Sequence, residues 1–152
     1  MHPLLQATWN FQVTPEALTT DLNLDDFDAL AIPGGFEEAN FYEDAFSQSF
    51  GQIIRHFDSQ KKPIASICVA SLAVAHSGVL NGRNATTYNH PTSKRQAQLA
   101  TYGVNVVKER IVIDDNIITS SNPGTAMEVA FTLLEMLTSA NNTAKVKELM
   151  GY

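Results

Sequence analysis

Cysteine is scarce in this 152-residue chain, which has Cys68 and no other. A single cysteine excludes an internal disulfide. Histidine is also sparse and scattered, at His2, His56, His76 and His90. Neither residue type has the spacing of a structural zinc site. No metal and no cofactor are therefore expected, and a reducing compartment, the cytoplasm, is the predicted location.

Positive charge is also in short supply, because ten lysines and arginines stand against sixteen aspartates and glutamates and leave a formal net charge of −6. A protein that contacts phosphates non-specifically needs the opposite balance. Long apolar runs are missing, and the first residues lack the basic flank and apolar stretch of a signal peptide. Nucleic-acid and membrane partners are therefore not expected.

The chain does contain short apolar runs that alternate with amphipathic stretches. An apolar strand over 28–32 runs into Pro33-Gly34-Gly35, a loop of high backbone freedom, and apolar residues over 45–60 follow a helical spacing. A second strand over 63–67 leads to Cys68 and a helix that Gly78 ends. This order predicts parallel strands in one α/β domain over residues 1–152.

The second half of the chain continues the same alternation. Its predicted elements are a helix over 91–102, a strand over 104–107, a hairpin of 111–113 and 117–119, a helix after 122–125 and a short helical tail over 143–150. Near the start, residues 7–13 alternate weakly like a strand, which is a poor opening for a domain of this class.

Cys68 lies where the second apolar strand gives way to small residues that are compatible with a helix. A thiol in the first turn of a helix faces unpaired N–H groups, which favour the thiolate. The alternative is an inert cysteine that fills space in the core. Because adjacent parallel strands end at the same edge, Gly34 and Gly35 are expected beside the thiol. Their N–H groups and that of Val69 could then stabilise an oxyanion.

The ordered set of segments resembles the DJ-1/PfpI family, within the class I glutamine amidotransferase-like superfamily. The segments that carry the resemblance are 28–35, 63–68, 78–87, 115–120 and 123–125, and the match is strongest over 24–138. It implies a flavodoxin-like three-layer sandwich with a mostly parallel sheet, a nucleophile elbow at Cys68 and a homodimer. His90 falls where one branch of the family has a histidine near the thiol, so the resemblance implies an acid–base role for it.

The sequence departs from the family in two places. The usual first strand and helix, which carry a glutamate that hydrogen-bonds the nucleophilic sulfur, have no counterpart here. One explanation is that the chain is a truncated or mis-started product. The protease-like branch has a histidine directly after its cysteine, where this chain has Val69. A protease function is therefore disfavoured.

The resemblance leaves three functions open. The first is a cysteine-dependent enzyme, a hydrolase or lyase, that acts on small reactive carbonyls or their adducts through Cys68. The second is a non-catalytic redox sensor or stress-protective protein in which Cys68 is oxidised. The third is a protein of the type associated with thiazole monophosphate biosynthesis.

Overall fold

A computed structural model of the chain describes residues 4–7 and 10–152. His2, and Thr8 and Trp9 of the predicted strand over 7–13, lie outside the described residues. The strands are β1 Leu5–Gln6, β2 Gln12–Val13, β3 Leu30–Ile32, β4 Ile64–Ser66, β5 Asn84–Ala85, β6 Asn105–Val106, β7 Ile111–Asp114 and β8 Ile117–Ser120. The helices are α1 Phe41–Ala45, α2 Gln48–Ser59, α3 Ala70–His76, α4 Arg95–Ala100, α5 Ala126–Leu137 and α6 Ala140–Met150.

The main sheet has the strand order β3-β4-β8-β7. Strands β3, β4 and β8 are parallel, and β7 runs antiparallel to β8 through the predicted hairpin, whose Asp115 adopts φ 56°. Strands β1 and β2 form a separate antiparallel pair, and β5 and β6 a parallel one. The prediction of an α/β fold with a mostly parallel sheet is confirmed.

Alternating side chains of the central strands supply the cores on the two faces of this sheet. Ile64 and Ile117 belong to the larger core with residues of α2 and α3, whereas Ala65 and Ile118 pack with Val129 of α5. Helix α6 packs against α5, where Thr143 is buried. Helices therefore cover both faces and make three layers.

One predicted helix begins later in the structure than the sequence indicated. The apolar spacing over 45–60 predicted a helix from Ala45, but Ala45 is the last residue of α1, and α2 begins at Gln48. Ser47, with φ −64° and ψ 149°, is the N-cap of α2, and its hydroxyl accepts a hydrogen bond from the N–H of Phe50. The extended backbone of the capping residue interrupts the helix.

Candidate functional site

Cys68 lies in a sharp turn between β4 and α3. Its φ is +61°, in the left-handed region that side chains other than glycine rarely adopt. The Cys68 N–H donates to the carbonyl of Ser120 at 3.1 Å, and the Cys68 carbonyl accepts from the Thr87 hydroxyl at 3.0 Å. These contacts hold the strained residue in place, in the geometry of a nucleophile elbow.

The thiol of Cys68 is largely buried, with 7% of the residue exposed. Burial raises the pKa of the thiol, and a hydrogen bond from the N–H of Val69 offsets this only in part. The sequence had suggested a thiolate favoured by a helix N-terminus. Helix α3 is only seven residues long, and the cost of removing the charged form from water outweighs the Val69 contact.

Gly34 lies against the Cys68 turn and Gly35 lies against Phe41, and neither position has room for a side chain. A Cβ atom on Gly34 would lie 3.1 Å from Cys68 Cβ and 3.8 Å from Sγ, and one on Gly35 would lie 2.2 Å from Cδ2 of Phe41. Neither glycine has a positive φ. The sequence indicated glycines that supply backbone freedom, but in the structure they supply close approach.

A cavity of about 800 Å³ opens above the thiol. In the described part of the chain, the N–H groups of Gly34 and Gly35 have no protein acceptor, and the N–H of Val69 faces the sulfur. The cavity is lined by Gly34, Gly35, Phe36, Glu37, Glu38, Tyr42, Ile67, Cys68, Val69, Tyr88, His90, Thr92, Ser93, Lys94, Arg95 and Pro123. All the candidate residues from the sequence therefore line one cavity.

His90 lines the same cavity from an exposed loop. Its Nδ1 is 2.9 Å from the Thr92 hydroxyl, and its ring is stacked on Tyr88 with the centroids 6.2 Å apart. Among the described residues it makes no hydrogen bond to Cys68. The stack and the Thr92 contact orient the imidazole, and a ligand would have to bridge it to the thiol.

Sequence reasoning missed two residues of the cavity wall, Tyr42 and Arg95. Tyr42 is half-buried on α1, and burial raises the pKa of its phenol. Arg95 begins α4, and its guanidinium lies 4.9 Å from the centroid of the Tyr42 ring. Arg95 also pairs with Glu37, which lines the same cavity. No sequence motif marks this pairing, since its partners are 58 positions apart.

The remaining described histidines have structural contacts away from Cys68. His56 pairs with Asp25 at 3.0 Å, and His76 stacks on Phe46 with ring centroids 4.6 Å apart. In residues 4–7 and 10–152, no group of His, Cys, Asp and Glu side chains is arranged to hold a metal ion. No helix of that same part combines the length and the apolar character needed to cross a membrane.

Comparison with known proteins identifies relatives of the chain. A model described as the DJ-1/PfpI family matches residues 5–136. Protein dj-1beta of Drosophila melanogaster is 33% identical over 143 residues, which are 93% of this chain and 73% of the relative. General stress protein 18 of Bacillus subtilis is 38% identical over 113 residues, which are 74% of this chain and 62% of the relative. The chain thus spans less than two thirds of the Bacillus protein.

Solved structures give the same result for the fold. The crystal structure of Drosophila melanogaster DJ-1beta matches with a TM-score of 0.83 and 28% identity, over 97% of this chain and 76% of the other. This likeness confirms the flavodoxin-like three-layer sandwich that the sequence resemblance implied.

Proposed function

We propose, from the premise that this chain belongs to the DJ-1/PfpI family, that it is a cysteine-dependent enzyme acting on small reactive carbonyls. One observation carries the proposal: Cys68, held at φ +61°, lies in a cavity of about 800 Å³ with an imidazole and with the N–H groups of Gly34 and Gly35, which have no acceptor among the residues that the structure describes. The proposed substrates are 2-oxoaldehydes such as methylglyoxal, and the proposed reaction is glyoxalase-like or deglycase-like.

The first step is addition of Cys68 Sγ to the aldehyde carbon. A sulfur–carbon bond forms, the carbonyl π bond breaks, and the N–H groups of Gly34, Gly35 and Val69 hold the oxyanion. Because burial raises the pKa of the thiol, its proton needs an acceptor in the cavity at the moment of attack. His90 is that acceptor, bridged to the thiol by the substrate or by water.

The second step is an internal oxidation and reduction. A proton leaves the former aldehyde carbon and returns at the neighbouring carbonyl carbon, which gives a thioester of a 2-hydroxy acid. Water then hydrolyses the thioester, releasing the acid and restoring the thiol. One carbonyl carbon is oxidised and the other reduced, so this route consumes no external oxidant.

Oxidation sensing through Cys68 is the competing function. Peroxide reacts with the thiolate, and burial raises the pKa of Cys68 and so keeps the group protonated. Addition to a carbonyl also requires loss of the thiol proton, so the raised pKa alone does not separate the two functions. Intact-mass measurement after mild peroxide treatment tests the sensor, because a lack of oxygen addition at Cys68 would count against sensing.

The test of the enzyme proposal is methylglyoxal turnover in Cys68→Ser and His90→Gln variants. Cys68→Ser is expected to lose turnover and, because the chain has a single cysteine, all thiol labelling. His90→Gln is expected to slow turnover by about 100-fold, which is typical of a lost general base. The matched control is His56→Gln, since His56 pairs with Asp25 and does not line the cavity. Unchanged turnover in Cys68→Ser would contradict the proposal.

We also propose that the chain forms a homodimer. Large apolar side chains are exposed on and around the β1–β2 pair: Leu4 at 59%, Leu5 at 49%, Phe11 at 68% and Val13 at 41%. Apolar surface concentrated in this way is typical of an interaction site, and a second copy would cover it.

A further inference from the structure

Arg95 presents a fixed positive charge to the cavity that contains Cys68. Its guanidinium lies over the Tyr42 ring, and its Nη1 donates to the side-chain oxygen of Gln98 at 2.9 Å. Tyr42 is itself held by edge and tilted contacts with the rings of Phe41 and Phe46, at 5.3 and 5.0 Å between centroids. The guanidinium is therefore positioned before any ligand arrives.

The Glu37 partner of Arg95 is much less constrained. The Glu37 side chain is 68% exposed, whereas that of Arg95 is 25% exposed. An ion pair with one exposed partner contributes little to stability because solvent screens it. The guanidinium also carries more N–H donors than Glu37 and Gln98 use. A second carboxylate can therefore join or displace Glu37 at low cost.

Arg95 and the thiol face the same cavity of about 800 Å³, and Tyr42 lines it with them. The charges of Arg95, Glu37 and Cys68 all influence the pKa of the Tyr42 phenol, so both the guanidinium and the thiol lie near this side chain. The other charged residues that line the cavity are Glu38 and Lys94, both exposed. Of the two cations that line it, Arg95 is the one fixed by side-chain contacts.

We propose that Arg95 is a specificity-determining residue that binds the carboxylate of a small ligand whose reactive carbon reaches Cys68. The inference rests on the proposed function in one respect, that Cys68 is the nucleophile. The ligand class is a small carboxylic acid with an electrophilic carbon next to the carboxylate, such as a 2-oxo acid. Glu37 occupies Arg95 when the ligand is absent, and the ligand carboxylate competes with it for the guanidinium.

The test compares iodoacetate with iodoacetamide as alkylating agents for Cys68. In both reactions a bond forms between Sγ and carbon, the carbon–iodine bond breaks, iodide leaves and the thiol proton goes to solvent. The reagents differ chiefly in their carboxylate and amide groups. The ratio of the two alkylation rates, followed by intact mass, therefore reports the charge preference of the cavity without any need for turnover.

Arg95→Gln is expected to lower the iodoacetate-to-iodoacetamide rate ratio by about fivefold, as expected for charges several ångströms apart at a half-exposed site. Glu37→Gln is expected to raise the ratio by about twofold, because it frees the guanidinium. The matched control is Arg110→Gln, which breaks the Arg110–Glu128 ion pair outside the cavity and should leave the ratio unchanged. An unchanged ratio in Arg95→Gln would overturn the inference.

A second measurement keeps the inference testable if the thiol is inert. Labelling of Cys68 by neither reagent would contradict the proposed function and would leave the carboxylate site to be tested by binding. In Cys68→Ser, titration with propanoate should then give a saturable shift of the Arg95 Nε–H resonance in NMR spectra, and propanamide should give none. Absence of the propanoate shift would overturn the inference whatever the reactivity of Cys68.

Discussion

Cys68 combines a strained backbone with a thiol that burial keeps neutral. A positive φ at a residue other than glycine costs on the order of 1–3 kcal/mol and persists only where neighbouring contacts enforce it. Here the enforcing contacts come from Ser120 and Thr87. The strained turn places the thiol at the cavity wall, and burial raises its pKa and so favours the neutral form.

The pH dependence of alkylation should reveal the buried thiol. Because the charged form is the one that burial disfavours, the pKa of Cys68 is raised above the ordinary value of 9.0. The thiolate fraction is therefore small at neutral pH and grows only as pH rises through the shifted pKa. The midpoint of the iodoacetamide rate should lie above pH 9 for the protein, whereas that of a free cysteine peptide should lie near the ordinary value. A plateau of the protein's rate near pH 7 would contradict this prediction.

Gly35 should tolerate no side chain, because Phe41 occupies the space where a Cβ atom would lie. With 2.2 Å between that Cβ and Cδ2 of Phe41, Gly35→Ala must displace the ring and is expected to destabilise the fold by about 1–3 kcal/mol in urea unfolding.

Gly51→Ala is the matched control for that substitution. Gly51 lies within α2, and its Cβ atom would lie 3.2 Å from Nη1 of Arg55, which donates to the Ser77 carbonyl and has to move by only a few tenths of an ångström. Alanine has the higher helix propensity, so this variant should be neutral or more stable by up to about 1 kcal/mol. Equal effects of the two alanines would rule out the steric explanation.

At the residue scale, the sequence predicted the parts of the site that follow from strand ends. Cys68, Gly34 and Gly35 each follow an apolar run, and parallel strands bring such ends together. Tyr42 and Arg95 could not be predicted in this way. They reach the cavity from two short helices, α1 and α4, whose positions depend on tertiary packing.

At the scale of elements, the start of α2 shows how one polar residue sets a helix boundary that apolar spacing alone places too early. The spacing over 45–60 is helical throughout, but Ser47 satisfies the N–H of Phe50 and starts a new helix. The helix predicted over 91–102 covers only Arg95–Ala100, and its N-cap, Lys94, makes no side-chain capping bond. Instead, the Ser93 N–H donates to the His90 carbonyl at 2.8 Å, and this turn of residues along the cavity precedes the helix.

Removal of the Ser47 cap should weaken α2 measurably. Ser47→Ala leaves the Phe50 N–H without its side-chain acceptor, and the expected loss is about 1 kcal/mol in the free energy of unfolding. Ser47→Asp should restore most of this stability, because aspartate also caps helices. Gln52→Ala, at an exposed position inside α2, is the control and should change stability by less than about 0.5 kcal/mol. A Ser47→Ala variant as stable as the parent chain would exclude capping as the cause of this helix boundary.

At the scale of the whole molecule, the described part of the chain leaves apolar and backbone groups uncovered. Within it, β3 pairs only with β4, so one edge of the main sheet is open, and Ala31 on that strand is exposed. The sequence indicated a domain with a weak opening over 7–13 but could not locate the exposed surface. That surface depends on which apolar side chains the sheet and helices fail to cover, and therefore on the assembled fold.

The exposed apolar side chains of the β1–β2 region predict self-association that a single charge should disrupt. Phe11 is 68% exposed, and in a dimer that covers it, Phe11→Asp would bury an unpaired carboxylate at a cost of roughly 2 kcal/mol or more. We expect the parent chain to sediment at about twice its monomer mass of 16.6 kDa, and Phe11→Asp to dissociate at concentrations at least about tenfold higher. Leu149→Asp, at a residue 79% exposed on α6, is the control for adding a negative charge to an exposed leucine. Dissociation in both variants would assign the effect to net charge. An unchanged mass in Phe11→Asp would place the interface elsewhere, because an added carboxylate is costly only on a surface that the dimer buries.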